Sequence, residues 1–242
     1  MSQTFDGSLV DFFSDRLKFL EDQIQDACVR SGRNREDVQL VAVTKYVEPQ
    51  VAAQLHAAGA TDLGESRPQE LWRKTKAVPH TARWHMIGHL QTNKIDKTLP
   101  LVDLIHSGDR LKLLRTLDKE ASKQDTSVDV LLEVNVSREE AKHGFAPEEL
   151  EDVAAKLSSL ERVRVRGMMT MAAYDEDPEN CRPTFVELRE LRDRLQNQMP
   201  TPHTLEHLSM GMSNDFVVAI EEGATMIRVG SVLYEGMPGK TT

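Results

Sequence analysis

Eight short apolar runs, separated by segments with helical spacing, constrain this fold more than any other feature of the chain. The runs lie at 38–44, 61–64, 84–87, 102–106, 128–136, 163–170, 204–208 and 225–229, and each reads as a strand. Between them the pattern turns helical. The segment 49–58 opens with Pro49 and stops at Gly59. Asp109 is placed to cap a helix bearing Leu111, Leu114 and Leu117. Leu150, Val153, Ala154, Leu157 and Leu160 share one helical face, as do Phe185, Leu188 and Leu195. Ser213 is placed to cap the last internal helix and Gly223 to end it. Ahead of the alternation, Leu9, Phe13, Leu17, Leu20, Ile24 and Cys28 form a narrow apolar face. They predict an extra N-terminal helix, packed on its own domain rather than on a partner.

Eight strand–helix units in 242 residues fit a compact α/β fold of the (β/α)8 TIM-barrel type. A doubly wound open sheet would bring a glycine-rich turn after the first strand, and Thr44-Lys45-Tyr46 is not one. No Pro/Gly/Ser-rich linker divides the chain, so residues 1–242 are expected to form a single domain. A hydrophobic content of 39% is ample for its core.

Charge and cysteine usage narrow the function classes. With 30 basic and 39 acidic residues the net charge is −9, which argues against a nucleic-acid surface. An acidic chain can still hold an anion locally on backbone N–H groups. No apolar run reaches membrane-spanning length, and an N-terminus with Asp6, Asp11 and Asp15 is unlike a secretory signal. Cys28 and Cys181 form neither a metal-spacing motif nor a disulfide framework, so a reducing, cytoplasmic setting is expected.

In a barrel the chemistry gathers where the strand C-termini converge. Reading off those ends gives Lys45, Gly64-Glu65-Ser66, Gly88-His89, His106-Ser107, Asn135, the stretch 168–170, the turn 209–213, and Arg228 to Ser231. Lys45 ends the first strand. Desolvated in a partly apolar pocket, its amine becomes nucleophilic and can form a Schiff base with an aldehyde; left in solvent, it is an ordinary strand-end lysine. The Ser209 to Ser213 turn and Gly230-Ser231 follow strands seven and eight, the usual phosphate position of this fold. The histidine pairs His85/His89 and His203/His207 are four apart but lie in strand-like or turn-like sequence, so no metal site is expected. No Gly-x-Ser-x-Gly elbow supports a Ser-His-Asp hydrolase. Arg164 and Arg166 alternate with Val163 and Val165 and are expected to face solvent.

These residues resemble the pyridoxal phosphate homeostasis protein family along nearly the whole chain. The resembling stretches are VAVTK at 41–45, LGES at 63–66 with QE at 69–70, WHMIGHLQTNK at 84–94, and IHS at 105–107. They continue with VNV at 134–136, KHG at 142–144, GMM at 167–169, LSMGMS at 208–213 and IRVG at 227–230. The resemblance implies a single alanine-racemase-like barrel without that enzyme's second domain. It implies pyridoxal 5′-phosphate (PLP) held covalently on Lys45, with Ser209, Gly230 and Ser231 on the phosphate and Arg228 facing the pyridine nitrogen. It further implies a monomeric carrier or regulator of the cofactor pool with no catalytic residues, passing PLP to cofactor-dependent apo-enzymes. Departures from the family pattern are Ser66, where Asn is usual beside the ring, Ser231, where Thr is usual, and Tyr46 after the lysine. The alternatives are a PLP-dependent amino-acid racemase and a barrel that binds another phosphorylated metabolite. Two-base racemisation needs a second acid/base across the ligand, and the chain has only Tyr46, Tyr174 and Tyr234 as tyrosines.

Overall fold

The computed structural model describes residues 8–139 and 142–238; Asp6 lies outside them. The strands are β1 (Gln39–Val43), β2 (Asp62–Glu65), β3 (Arg83–Met86), β4 (Leu104–Gly108), β5 (Val128–Glu133), β6 (Val163–Met169), β7 (His207–Met212) and β8 (Met226–Val229). The helices are α1 (Leu9–Arg30), α2 (Pro49–Ala57), α3 (Pro68–Lys74), α4 (Ile95–Thr98), α5 (Leu111–Lys123), α6 (Leu150–Leu157), α7 (Arg182–Leu195), α8 (Phe216–Glu221) and α9 (Ser231–Tyr234). The strands close in sequence order into one barrel, and parallel pairing of β8 with β1 completes the ring.

Strand alternation sorts the side chains into two populations. Leu63, Ile105, Val163, Val165 and Ile227 are fully shielded from solvent and belong to the large apolar cluster between sheet and helices. Leu104, Leu131, Met169 and Met226 form a second, smaller cluster drawn from β4, β5, β6 and β8, as lumen-facing residues should. Three ion pairs sit at the N-terminal rim: Arg83 with Asp62, Arg164 with Asp129, and Arg166 with Glu206. Arg164 and Arg166 thus pair at that rim.

The extra helix is present. Ser8 and Asp11 form a capping box at its start. Its buried face carries Phe12, Phe13, Leu20, Ile24, Ala27 and Cys28, and it packs on α2 and α8, across the seam where β8 meets β1. The Phe13 ring meets Tyr234 edge-on at 5.8 Å, and Arg16 Nε donates to the Val232 carbonyl at 2.9 Å. Among the described residues no helix is long and apolar enough to cross a membrane.

Three local expectations are corrected. The seventh strand runs His207–Met212 instead of ending at 208, because Ser209 and Met210 stay in the sheet, Gly211 at φ +93° lies where the register with β8 shifts, and the chain turns only after Met212. A run of small residues resembled a turn, while the barrel supplied strand partners on both sides. Asp109 does not cap α5; its carboxylate binds His89 and Arg110. Ser213 does not cap α8, whose N-cap is Asp215; it accepts the Gly230 N–H at 3.0 Å. Gly223 follows α8 at φ +99°, as expected of a helix stop.

Phe13→Ala is expected to destabilise the chain by about 3–5 kcal/mol in denaturant unfolding, because it empties the centre of the seam.

Candidate functional site

The C-terminal mouth is organised by one buried carboxylate. Glu65, the last residue of β2, has no solvent exposure. Its Oε2 accepts from Lys74 Nζ at 2.5 Å and from Thr44 Oγ1 at 3.2 Å. Its Oε1 accepts the Ser66 and Arg67 N–H groups at 2.8 and 3.3 Å. Lys74, equally buried on α3, also donates to the Thr44 carbonyl at 2.7 Å. On the other side, Tyr234 Oη donates to the Val43 carbonyl at 2.9 Å. The two backbone positions before Lys45 are therefore clamped from both sides.

Lys45 stands two residues beyond Val43 on the lumen side, since Val41 is in register with the inward Arg228. It is exposed, with Nζ 4.9 Å from the centre of the Tyr46 ring. The desolvated setting allowed by the sequence is absent; the amine meets solvent and one aromatic face. Ser66 follows β2 and is half-buried. Gly88 lets the loop after β3 approach it, since a Cβ there would lie 2.4 Å from the Ser66 carbonyl oxygen.

Beside Lys45, the ends of β7 and β8 meet where Gly230 N–H binds Ser213 Oγ. This acceptor role leaves the Ser213 O–H free to donate, and the exposed Ser231 adds a second hydroxyl. Ser209 is not part of this turn. Its fully buried hydroxyl lies in the lumen, bonded to His106 Nδ1 at 2.8 Å and to Arg228 Nη1 at 2.5 Å.

That contact belongs to a relay through the lumen. Asp62 accepts from Gln39, Thr61, Arg83 and His85. Burial raises the proton affinity of its carboxyl, but the bonds from His85 and Arg83 outweigh this and hold it below the usual carboxylate range. An ionised Asp62 sets the order of donors. His85 Nε2–H gives to Asp62 at 3.0 Å, His106 Nε2–H gives to His85 Nδ1 at 2.9 Å, and Ser209 gives to His106. Burial pushes His106 well below the ordinary imidazole pKa, consistent with a neutral ring. Arg228 ends the series: Nη1 gives to Ser209 and Nη2 to the Thr170 carbonyl at 3.0 Å. Its Nε makes no hydrogen bond among the described residues. Burial lowers Arg228 to about 10, so it remains a cation at neutral pH.

Across the ring, Glu133 ends β5. Burial, then the nearby Asp109, raises its carboxyl to about 7. Sequence reasoning placed Glu65 at a strand end without assigning it a role, and passed over Glu133, Lys74 and the lumen role of His106. Only an acidic residue at a strand end and a lysine on an otherwise apolar helix face hinted at them. The suspected histidine pairs do not converge: His85 enters the relay, His89 binds Asp109, His203 contacts Leu157 O and Val165 N, and His207 lies near Glu206.

Two outcomes follow. Glu65→Gln is expected to cost about 3–5 kcal/mol in denaturant unfolding, because it leaves Lys74 buried without its counter-charge. A raised Glu133 binds its proton more tightly in the folded state, so its contribution to stability falls as pH rises from about 4.5 to about 7. Glu133→Gln is expected to flatten that decline and to exceed wild type at pH 8 by roughly 1–3 kcal/mol in parallel melts.

The family model for the alanine racemase N-terminal domain matches residues 22–238. A pyridoxal phosphate homeostasis protein of Aquifex aeolicus is 44% identical over 221 residues, 91% of this chain and 96% of the relative. One from Pseudomonas aeruginosa is 35% identical over 213 residues, 88% of this chain and 90% of the relative. PipY of Synechococcus elongatus, solved with PLP bound, superposes with a TM-score of 0.79 at 33% identity, covering 92% of this chain and 99% of PipY. Alanine racemase of Clostridium difficile shares the fold alone, at 17% identity and a TM-score of 0.74 over 91% of this chain and 56% of the racemase. Sequence match and closed barrel together make this chain a member of the pyridoxal phosphate homeostasis protein family, built on the alanine racemase N-terminal domain fold.

Proposed function

We propose that this protein binds PLP through a Schiff base on Lys45 and serves the intracellular pool of that cofactor, holding it and releasing it to apo-enzymes that need it. The observation that carries this reading is the meeting of three groups at neighbouring strand ends: the Lys45 amine after β1, the Ser213/Gly230/Ser231 turn after β7 and β8, and the Arg228 guanidinium inside the lumen. An aldehyde, a phosphate and a ring nitrogen need these partners. The Lys45 amine condenses with the aldehyde and releases water. Ser213 and Ser231 donate to the phosphate, with Ser213 taking the place first expected of Ser209. Arg228, whose Nε–H has no partner among the described residues, would donate to the pyridine nitrogen. Ser66 sits beside the ring edge, where its short side chain leaves space.

When bound, PLP supplies an electron sink for carbanion chemistry, and Arg228 weakens that sink. A guanidinium donates to the ring nitrogen without protonating it. Among the tyrosines, Tyr46 lies against Lys45 itself, Tyr174 is 81% exposed, and Tyr234 donates to the Val43 carbonyl beneath β1. The features therefore favour storage and delivery over turnover. One observation favours the racemase-like alternative: Glu133 lies on the strand opposite β1 and is poised to exchange a proton near neutral pH.

Purified protein is expected to show the yellow Schiff-base absorbance, and borohydride is expected to fix a pyridoxyl group on the Lys45 peptide. Lys45→Ala abolishes both. Ser213→Ala weakens PLP binding by about 1.5–3 kcal/mol, since it removes a bond to a charged group. Label mapped to Lys94 or Lys142 would refute the site. A turnover rate of about 1–10³ per second on any amino acid, lost in Glu133→Gln, would establish the enzyme reading instead.

A further inference from the structure

His89, Asp109 and His143 come from the loops that follow β3, β4 and β5, on the rim away from Lys45 and the β7–β8 turn. Their ligand atoms all lie within 4.8 Å of one another. His89 Nδ1 is 2.8 Å from Asp109 Oδ2, and the Asp109 side chain is 3% exposed. The other Asp109 oxygen is held by Arg110 Nη1, and Arg110 Nη2 in turn donates to the Leu90 carbonyl at 3.3 Å. The His143 ring stacks on His89 at 4.4 Å, with 24° between the planes. Among the described residues nothing hydrogen-bonds to His143.

We propose that these three residues form a binding site for a divalent transition metal of the zinc class. A His–Asp hydrogen bond needs no second imidazole, yet one is stacked beside it with both nitrogens unbonded among the described residues. Two imidazoles and one carboxylate form a donor set suited to borderline cations, whereas magnesium and calcium favour oxygen ligands. Around a tetrahedral ion at roughly 2.0–2.2 Å from each ligand the donors lie about 3.4 Å apart, so the His89–Asp109 pair opens slightly while the His143 nitrogen, within 4.8 Å of both, moves in. The exposed His143 ring has room to make that movement. His89 now gives its Nδ1 proton to Asp109. Moving that proton to the partly exposed Nε2 frees Nδ1 as a ligand without loss of a proton from the ring. Arg110 stays on the far oxygen and orients the carboxylate, the role of an outer partner at metal centres. Three protein ligands leave a fourth position open to water or to an oxygen of a bound molecule. Sequence spacing hid the set because each ligand comes from a different βα loop.

Calorimetric titration of zinc chloride into EDTA-stripped, tag-free protein tests the site, with cobalt(II) as a spectroscopic probe. One ion per chain is expected, with visible d–d bands for cobalt. His143→Ala and His89→Ala, each checked for folding by far-UV circular dichroism, are expected to weaken binding at least tenfold. Lys45→Ala is expected to bind zinc like wild type, since the two sites lie on opposite sides of the same mouth; this separates failure of the metal site from failure of the cofactor reading. Absence of saturable zinc binding, or an affinity unchanged by both histidine substitutions, overturns the proposal.

Discussion

The buried ion pair between Glu65 and Lys74 holds the mouth of this barrel in place. Two charges at zero exposure are costly to desolvate, and they persist only when each is well paired and its remaining hydrogen-bonding capacity is filled. Here the carboxylate serves Lys74, Thr44, Ser66 and Arg67, while the ammonium also reaches the Thr44 carbonyl. One pair thus ties together the ends of β1 and β2 and the helix α3. The flexible lysine at position 45 stands on backbone that cannot move without breaking this pair. Rigidity is supplied beneath Lys45, whose own exposed side chain takes no part in the pair.

The lumen applies the same rule to neutral groups. A chain of donors runs from Arg228 through Ser209, His106 and His85 to Asp62, and the charge on Asp62 decides which nitrogen of each imidazole carries its proton. Asp62 lies at the start of β2, joined to the exposed Arg83 of the opposite rim, while Arg228 faces the mouth. A residue at the floor therefore fixes the orientation of a guanidinium at the top. The relay also explains why Ser209 is unavailable to an anion at the mouth: its one proton and an accepting lone pair are both in use within the barrel.

The two halves of the rim differ in chemistry. The β7–β8–β1 side offers an amine, hydroxyls and a backbone N–H turn, a setting that suits an anion and an aldehyde. The β3–β4–β5 side offers carboxylates and imidazoles, a setting that suits a cation. In an acidic chain of net charge −9 the proposed phosphate site is set among hydroxyls on one half, while Asp109 and Glu133 lie on the other.

Much of this was legible in the sequence. Eight apolar runs with helical spacing between them sufficed for the barrel, because in a closed parallel sheet each strand must be apolar on the face toward its helix, whatever lies in the lumen. Lys45, Arg228, Gly230 and Ser231 stood out because strand ends in a barrel share one face, and position along the strand alone says so. The sequence did not separate Ser209 from Ser213. Both are small polar residues beside glycine, and only pairing with β6 and β8 keeps the first in the sheet and releases the second into the turn. Nor did it distinguish Lys74 from any solvated helix lysine, since its burial follows from the closeness of α3 to Glu65. The grouping of His89, Asp109 and His143 was equally hidden. Local pattern determined which elements form and which ends carry chemistry; ring closure, which brings residues distant in sequence to adjacent strands, decided which of those polar groups meet.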